Sequence, residues 1–128
     1  VNSTAFNDQS ASSVSEINKI PANEMGLDIG PKSIDLFIKE ILSSKTILWN
    51  GPMGVFEFSN FSEGTLSVGK SICESTGKGA FSLVGGGDSI AAIKKFNLTS
   101  GISYISTGGG AMLEYLEGKE LPALKALL

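Results

Sequence analysis

Phe81-Ser82-Leu83-Val84 runs directly into Gly85-Gly86-Gly87-Asp88-Ser89, and a stretch with helical spacing, Ser89 to Phe96, follows. This order of apolar run, glycine cluster and helix decides the fold, because the chain uses it three times. Upstream, Ile47-Leu48-Trp49 runs into Asn50-Gly51-Pro52-Met53-Gly54. Downstream, Ile102-Ser103-Tyr104-Ile105 runs into Ser106-Thr107-Gly108-Gly109-Gly110. Open parallel sheets build anion sites in this way. Glycines let backbone N–H groups approach the anion, and the next helix presents its positive end. Three such turns in series predict three anion-binding edges side by side at one end of one sheet, and with them a nucleotide or another phosphorylated ligand.

The rest of the chain supplies the connecting elements. Residues 1–20 are rich in Ser and Asn and read as short strands or loop; Pro21 to Gly30 is a connection. Gly30-Pro31 opens a helix, since proline suits a first turn. Ile34, Phe37, Ile38, Ile41 and Leu42 give it one apolar face, and Asp35 sits near its positive end. Further helices are predicted over Ser62–Thr76, stopped at Gly77, and over Ala111–Glu117, stopped at Gly118, with a last turn or two over Leu121–Leu128. Strands alternating with helices predict an α/β class: a three-layer, Rossmann-like αβα arrangement. Thr46–Trp49, Ala80–Val84 and Ile102–Ile105 should be adjacent and parallel in that order, joined by right-handed crossovers and covered on both faces.

Composition narrows the function classes. The chain has 128 residues, 41% of them hydrophobic and 18% charged, and a net charge of -3. That gives no reason to expect nucleic acid or an anionic membrane as a partner. No apolar stretch approaches the length of a membrane span, and no signal peptide is visible. The chain begins at Val1 without methionine, which reads as a piece of a longer protein. Its single cysteine, Cys73, fits a reducing, cytoplasmic compartment and falls where packing explains it. Histidine is absent, so imidazole acid–base chemistry and imidazole metal sites cannot come from these residues.

Each glycine turn has two readings. Gly85-Gly86-Gly87-Asp88-Ser89 is either a flexible turn with Asp88 as a helix N-cap, or a phosphate cradle in which Asp88 holds magnesium directly or through water. Ser106-Thr107-Gly108-Gly109-Gly110 either packs helix closely on strand or offers free amides to a transferring phosphoryl group. Glu57, beyond the Asn50–Gly54 turn, is either a solvated surface charge or a carboxylate for ribose hydroxyls. One string is a decoy. Gly64-Thr65-Leu66-Ser67-Val68-Gly69-Lys70-Ser71 matches a P-loop, but no buried strand precedes it. Leu66, Gly69, Ile72 and Cys73 instead fit one face of a helix running through it. Asn2-Ser3-Thr4, Asn60-Phe61-Ser62 and Asn97-Leu98-Thr99 match the glycosylation string by chance.

Five motifs, in order, resemble those of phosphoglycerate kinases: Met25 to Lys32, Trp49 to Glu57, Gly85 to Ser89, Ser106 to Ala111, and Leu116 to Pro122, with Ala123 where the family usually has glycine. The resemblance covers the chain from Met25 onward. It implies the second half of the nucleotide-binding, C-terminal domain (residues 1–128 here) of a two-domain kinase, with the N-terminal substrate domain absent. Such an enzyme is a cytoplasmic monomer that passes a phosphoryl group between 1,3-bisphosphoglycerate and ADP, giving 3-phosphoglycerate and Mg-ATP. Carried over by motif, Gly26 and Leu27 line the adenine pocket, Asn50 and Pro52 lie along ribose and phosphates, and Glu57 accepts the ribose hydroxyls. Gly86, Gly87, Asp88 and Ser89 hold the phosphates and Mg2+, with Asp88 as the metal residue. Gly86 and Gly109 offer backbone donors to the transferring group, and Lys70 has no role. The resemblance also implies that this stretch alone lacks turnover. Rival readings are a P-loop NTPase using Lys70 and a folded piece that binds nothing. It further implies that the first strand loses its neighbour, leaving Ile47 and Trp49 dependent on another chain, on an upstream fragment or on a rearranged Val1–Ile20 segment for burial.

Overall fold

The computed structural model of the chain describes residues 1–127. Two short strands, β1 (Asn2–Ser3) and β2 (Met25–Gly26), pair antiparallel and close the N-terminal segment on itself. Proline at the first position starts helix α1 (Pro31–Ser43) as predicted. Asp35 lies beyond its first turn, which holds no acidic residue. Then come β3 (Thr46–Asn50), α2 (Glu63–Gly77), β4 (Phe81–Gly85), α3 (Gly87–Lys95), β5 (Tyr104–Ser106), α4 (Gly109–Leu116) and α5 (Pro122–Lys125). Short 3-10 turns at Ser59–Phe61 and Thr99–Gly101, unforeseen in the sequence, precede α2 and β5. The predicted last turn is α5; Leu128 lies outside the described residues.

β3, β4 and β5 form one parallel sheet in chain order. The register sets Asn50 beside Gly85 and Gly85 beside Ser106. The strands therefore end level, and all three glycine turns leave the same edge. Helices α3 and α4 both begin two residues before the predicted starts, inside the glycine clusters. The first amide of each helix thus belongs to a glycine, which shields it least.

Side chains alternate across a strand, so the sheet has two unequal faces. On one, Ile47, Trp49 and Val84 pack with Val68 and Ile72 of α2, with Ala80 just before β4 and with Ile93 of α3, as the core. On the other, Met112 of α4 reaches Gly85 at the glycine-turn end. Leu48, Phe81 and Tyr104 remain 44%, 51% and 60% exposed. Coverage on both faces is thus only partly realised. One expectation is corrected outright: Ile47 and Trp49 are 9% and 4% exposed, buried by α2 of this same chain. β3 does form one edge of the sheet. Helix α1 stands beside it, leaving a cleft of about 280 Å³ lined by Phe37, Ile41, Leu48 and Met53 among others.

Helix α2 runs through the P-loop string. Its buried face carries Thr65, Val68, Gly69, Ile72 and Ser75. Leu66 and Cys73 are only half-buried, so the face is rotated from the predicted one while still including Gly69 and Ile72. Burial raises the Cys73 thiol above its ordinary range, as for an inert packing residue.

Candidate functional site

Three turns meet at the C-terminal ends of β3, β4 and β5. Gly86 has φ +89°, a conformation that side chains rarely adopt, and a Cβ there would strike Asn50 Oδ1. The Gly51 N–H donates to Ser89 Oγ at 2.6 Å, tying the first turn to the start of α3. Gly109 lies against Gly86: a Cβ on it would collide with the Gly86 nitrogen and come within 2.7 Å of the Gly86 Cα. Asn50, Gly86, Ser89 and Gly109, named from three separate motifs, are therefore brought into one cluster.

The cluster presents backbone donors. In α3 the first N–H to find a helical carbonyl is that of Ile90, on Gly86 O at 3.0 Å. In α4 it is that of Met112, on Gly108 O at 2.8 Å. Gly87, Asp88 and Ser89, and likewise Gly109, Gly110 and Ala111, thus point N–H groups out of the helix starts. Asp88 stands exposed at this opening, with no hydrogen-bond or ion-pair partner among the described residues. Ser89 differs from its expected surroundings: its side chain is fully buried and engaged by Gly51.

Magnesium prefers oxygen, tolerates few protein ligands and completes its shell with water and substrate phosphates. A single uncommitted carboxylate beside outward-facing helix-start amides fits that ion. Among the described residues no group of three or more His, Cys, Asp or Glu is placed to hold a metal by itself.

The second group of predicted residues sits beside this cluster. Gly26 is exposed and Leu27 is buried. The Val55 N–H donates to Leu27 O at 2.8 Å, which brings the adenine-pocket candidates against the loop carrying Pro52 and Glu57. Glu57 is exposed. Thr65 Oγ1 accepts from the N–H groups of Met53 and Gly54 at 3.1 and 3.3 Å. At the far end, Asn60 N–H and Ser59 Oγ donate to the Asp8 carboxylate at 3.0 and 2.9 Å.

Asp28, which lies in the Met25–Lys32 motif without a role assigned to it, is a hub. Its carboxylate accepts from the N–H of its neighbour Ile29 and from that of Gly64, at the start of α2, both at 2.8 Å. A Cβ on Gly64 would strike Asp28, so this glycine of the P-loop string makes room for a carboxylate rather than a phosphate. Lys70 lies exposed in mid-helix, so the P-loop geometry is absent. Burial pushes the Asp28 carboxyl above its ordinary 3.8, opposed by the Gly64 and Ile29 N–H groups. A raised folded-state value means that Asp28's contribution to stability is fully present below about 3.8 and is lost as pH rises through the raised value. Urea unfolding of Asp28→Asn should lack that component of the pH dependence. At neutral pH, Asp28→Ala should cost about 1–2 kcal/mol, because two part-buried N–H groups lose their acceptor. Equal pH profiles for the parent and Asp28→Asn would contradict this.

Level parallel strands, glycine turns and outward-facing helix starts define a Rossmann-like α/β protein. Sequence and structure comparisons narrow this to one family. The family profile described as "Phosphoglycerate kinase" matches residues 1–119. A phosphoglycerate kinase of Porphyromonas gingivalis is 58% identical over 122 residues, covering 95% of this chain and 29% of the relative. One of Chlorobium phaeobacteroides is 60% identical over 111 residues, covering 87% and 28%. The solved phosphoglycerate kinase of Coxiella burnetii superposes with a TM-score of 0.89 at 44% identity, over 97% of this chain and 31% of that one. The chain belongs to the phosphoglycerate kinase family, and it spans a little under a third of the length of these relatives.

Proposed function

We propose that these residues are the C-terminal part of the nucleotide-binding domain of a two-domain, monomeric, cytoplasmic phosphoglycerate kinase. The complete enzyme exchanges a phosphoryl group between 1,3-bisphosphoglycerate and ADP in glycolysis, and the phosphoglycerate is held by the other domain. This part contributes one side of the Mg-nucleotide site and lacks turnover when alone. The observation that carries the reading is the contact of Gly109 with Gly86, which puts two helix starts and the Asn50 turn at one point.

In this reading the adenine lies by Gly26 and Leu27, and the ribose hydroxyls donate to Glu57. Asn50 and Pro52 border the ribose and phosphates. The N–H groups of Gly87 and of the α3 start bind phosphate oxygens, and Asp88 holds Mg2+. When bound, that ion neutralises charge on the phosphate oxygens. Amides at Gly86 and Gly109 face the phosphoryl group in transit, where donors already fixed in place favour the transition state over the ground state. Ser89 does its part indirectly, by locking Gly51 to α3.

The test is a pair of substitutions in the complete kinase. Asp88→Ala should lower kcat/KM for Mg-ADP on the order of 10²-fold, as loss of one positioned charged group does. Lys70→Ala, on an exposed helix face, should stay within about twofold. The reverse pattern would move the site to the P-loop string.

A further inference from the structure

The loop that carries Glu57, between Val55 and Ser59, is gripped from α3 by Lys95, while its Phe58 ring packs on Phe6 and Phe61. Lys95 Nζ donates to Phe56 O at 2.8 Å and to Glu57 O at 3.0 Å. Its charge also lies 6.0 Å from the centre of the Phe56 ring and 5.8 Å from that of Phe96. Phe56 is buried, so one residue of the gripped pair is anchored and the other is free to project. Among the described residues the Glu57 carboxylate has no ion-pair partner. The lysine therefore fixes the backbone of Glu57 and leaves its side chain available.

The position on α3 gives this contact its meaning. Lys95 follows Asp88 by two helical turns and shares its face, about 10.5 Å further along the axis. One rigid face thus holds a carboxylate at the glycine-turn end and the Glu57 loop at the other. Lys95 also stands in the last turn, where a cation is favoured by the helix dipole. The adjacent Lys94 is exposed and makes no side-chain hydrogen bond or ion pair among the described residues. The two lysines are chemically alike and differently employed.

We infer that Lys95 is a positioning residue for Glu57 and thereby sets the preference for a nucleotide that carries ribose hydroxyls. The inference rests on the ribose role proposed above for Glu57. Compared with a mobile loop, a clamped Glu57 meets the hydroxyls already ordered, so the lysine lowers the entropic cost of recognition. It acts on binding of the sugar and not on the transfer step.

The complete kinase provides the test, with ADP and 2′,3′-dideoxy-ADP as paired probes under saturating magnesium. Lys95→Met should raise KM for ADP about 3–10-fold, the range of a charge-assisted contact discounted for exposure. It should leave kcat within about twofold and KM for the dideoxy nucleotide unchanged, so that the preference between the two shrinks. Lys95→Arg, which keeps a cation with several donors, should restore the preference, and Lys94→Met should not alter it. Glu57→Gln is measured alongside. If it abolishes the preference while Lys95→Met keeps it whole, the clamp is wrong and the ribose role stands. If Glu57→Gln leaves the preference intact, the ribose role falls and the clamp with it. Equal loss with both nucleotides in Lys95→Met, or a matching fall in kcat, would mark a merely structural lysine and overturn the inference. Thermal unfolding of each variant accompanies the kinetics. Should Lys95→Met not fold, Lys95→Gln carries the same readout.

Discussion

Gly109→Ala is expected to reduce kcat of the complete kinase on the order of 10²-fold or more, although it adds a single methyl group. The methyl would collide with the Gly86 nitrogen and lie 2.7 Å from its Cα. Both sides of the contact are backbone, so no rotamer can relieve it. Either α4 or the Gly85–Gly87 turn must move by a fraction of a residue's width. Overpacking of this kind costs about 1–3 kcal/mol in stability. A misplacement of about 1 Å among reacting groups alone can cost about 10²-fold in rate. Gly110→Ala is the matched control. A Cβ at Gly110 meets nothing within 4 Å, and alanine is the better helix former. Steady-state kinetics on the pair should separate them by the full factor. Similar activity in both would show that the two turns tolerate displacement and that their contact is not what sets the site.

Trp49→Ala is expected to cost about 3–5 kcal/mol, the range for truncating a large aromatic in a core. Trp49 is buried with Val68, Ile72 and Val84, and its indole N–H donates to Gly51 O at 2.7 Å. A domain commonly has only about 5–15 kcal/mol in total, so this loss brings the fold near its limit. Trp49→Phe separates the two contributions. It keeps most of the packing and loses the hydrogen bond, for about 1 kcal/mol. Gly51 then keeps only its N–H bond to Ser89 Oγ among its hydrogen bonds to the described residues, while Asn50 stays paired with Gly85. Urea unfolding of the three proteins measures both steps; a Phe variant as unstable as the Ala variant would mean that the indole bond, not the packing, dominates.

The sheet was legible because its signal is local. Apolar runs of four or five residues, each closed by glycines, named the three strands, and the crossover rule ordered them. The same reading misjudged coverage. Leu48, Phe81 and Tyr104 look like core residues in the sequence, and nothing in their neighbours states which face of the sheet this chain covers. Helix starts were set two residues late because glycine has low helix propensity, and tertiary placement overrode it. Of the candidate site, the glycine clusters and Asp88 stand out in the sequence itself. Asp28, Thr65 and Lys95 do not. Each is an ordinary residue in its own segment and gains its role from a partner far along the chain: Gly64 for Asp28, the Met53–Gly54 amides for Thr65, and Phe56 and Glu57 for Lys95. The P-loop string erred in the opposite direction, since its spelling is local and its geometry, a helix throughout, is not.

The identity of spatial and chain order in the sheet bears on how the molecule is made. A growing polypeptide leaves the ribosome from its N-terminus, and domains fold as stretches become available. Here β3 precedes β4 and β4 precedes β5, both along the chain and across the sheet. β4 and β5 can therefore each dock on a neighbour already synthesised, with one α-helix of intervening chain to close. Among these three strands none has to be inserted between the other two, and neither pairing has to be undone to admit the next. The glycine turns are then assembled in the same sequence, and the Gly86–Gly109 contact, which needs β5 and α4, is the last of them to form.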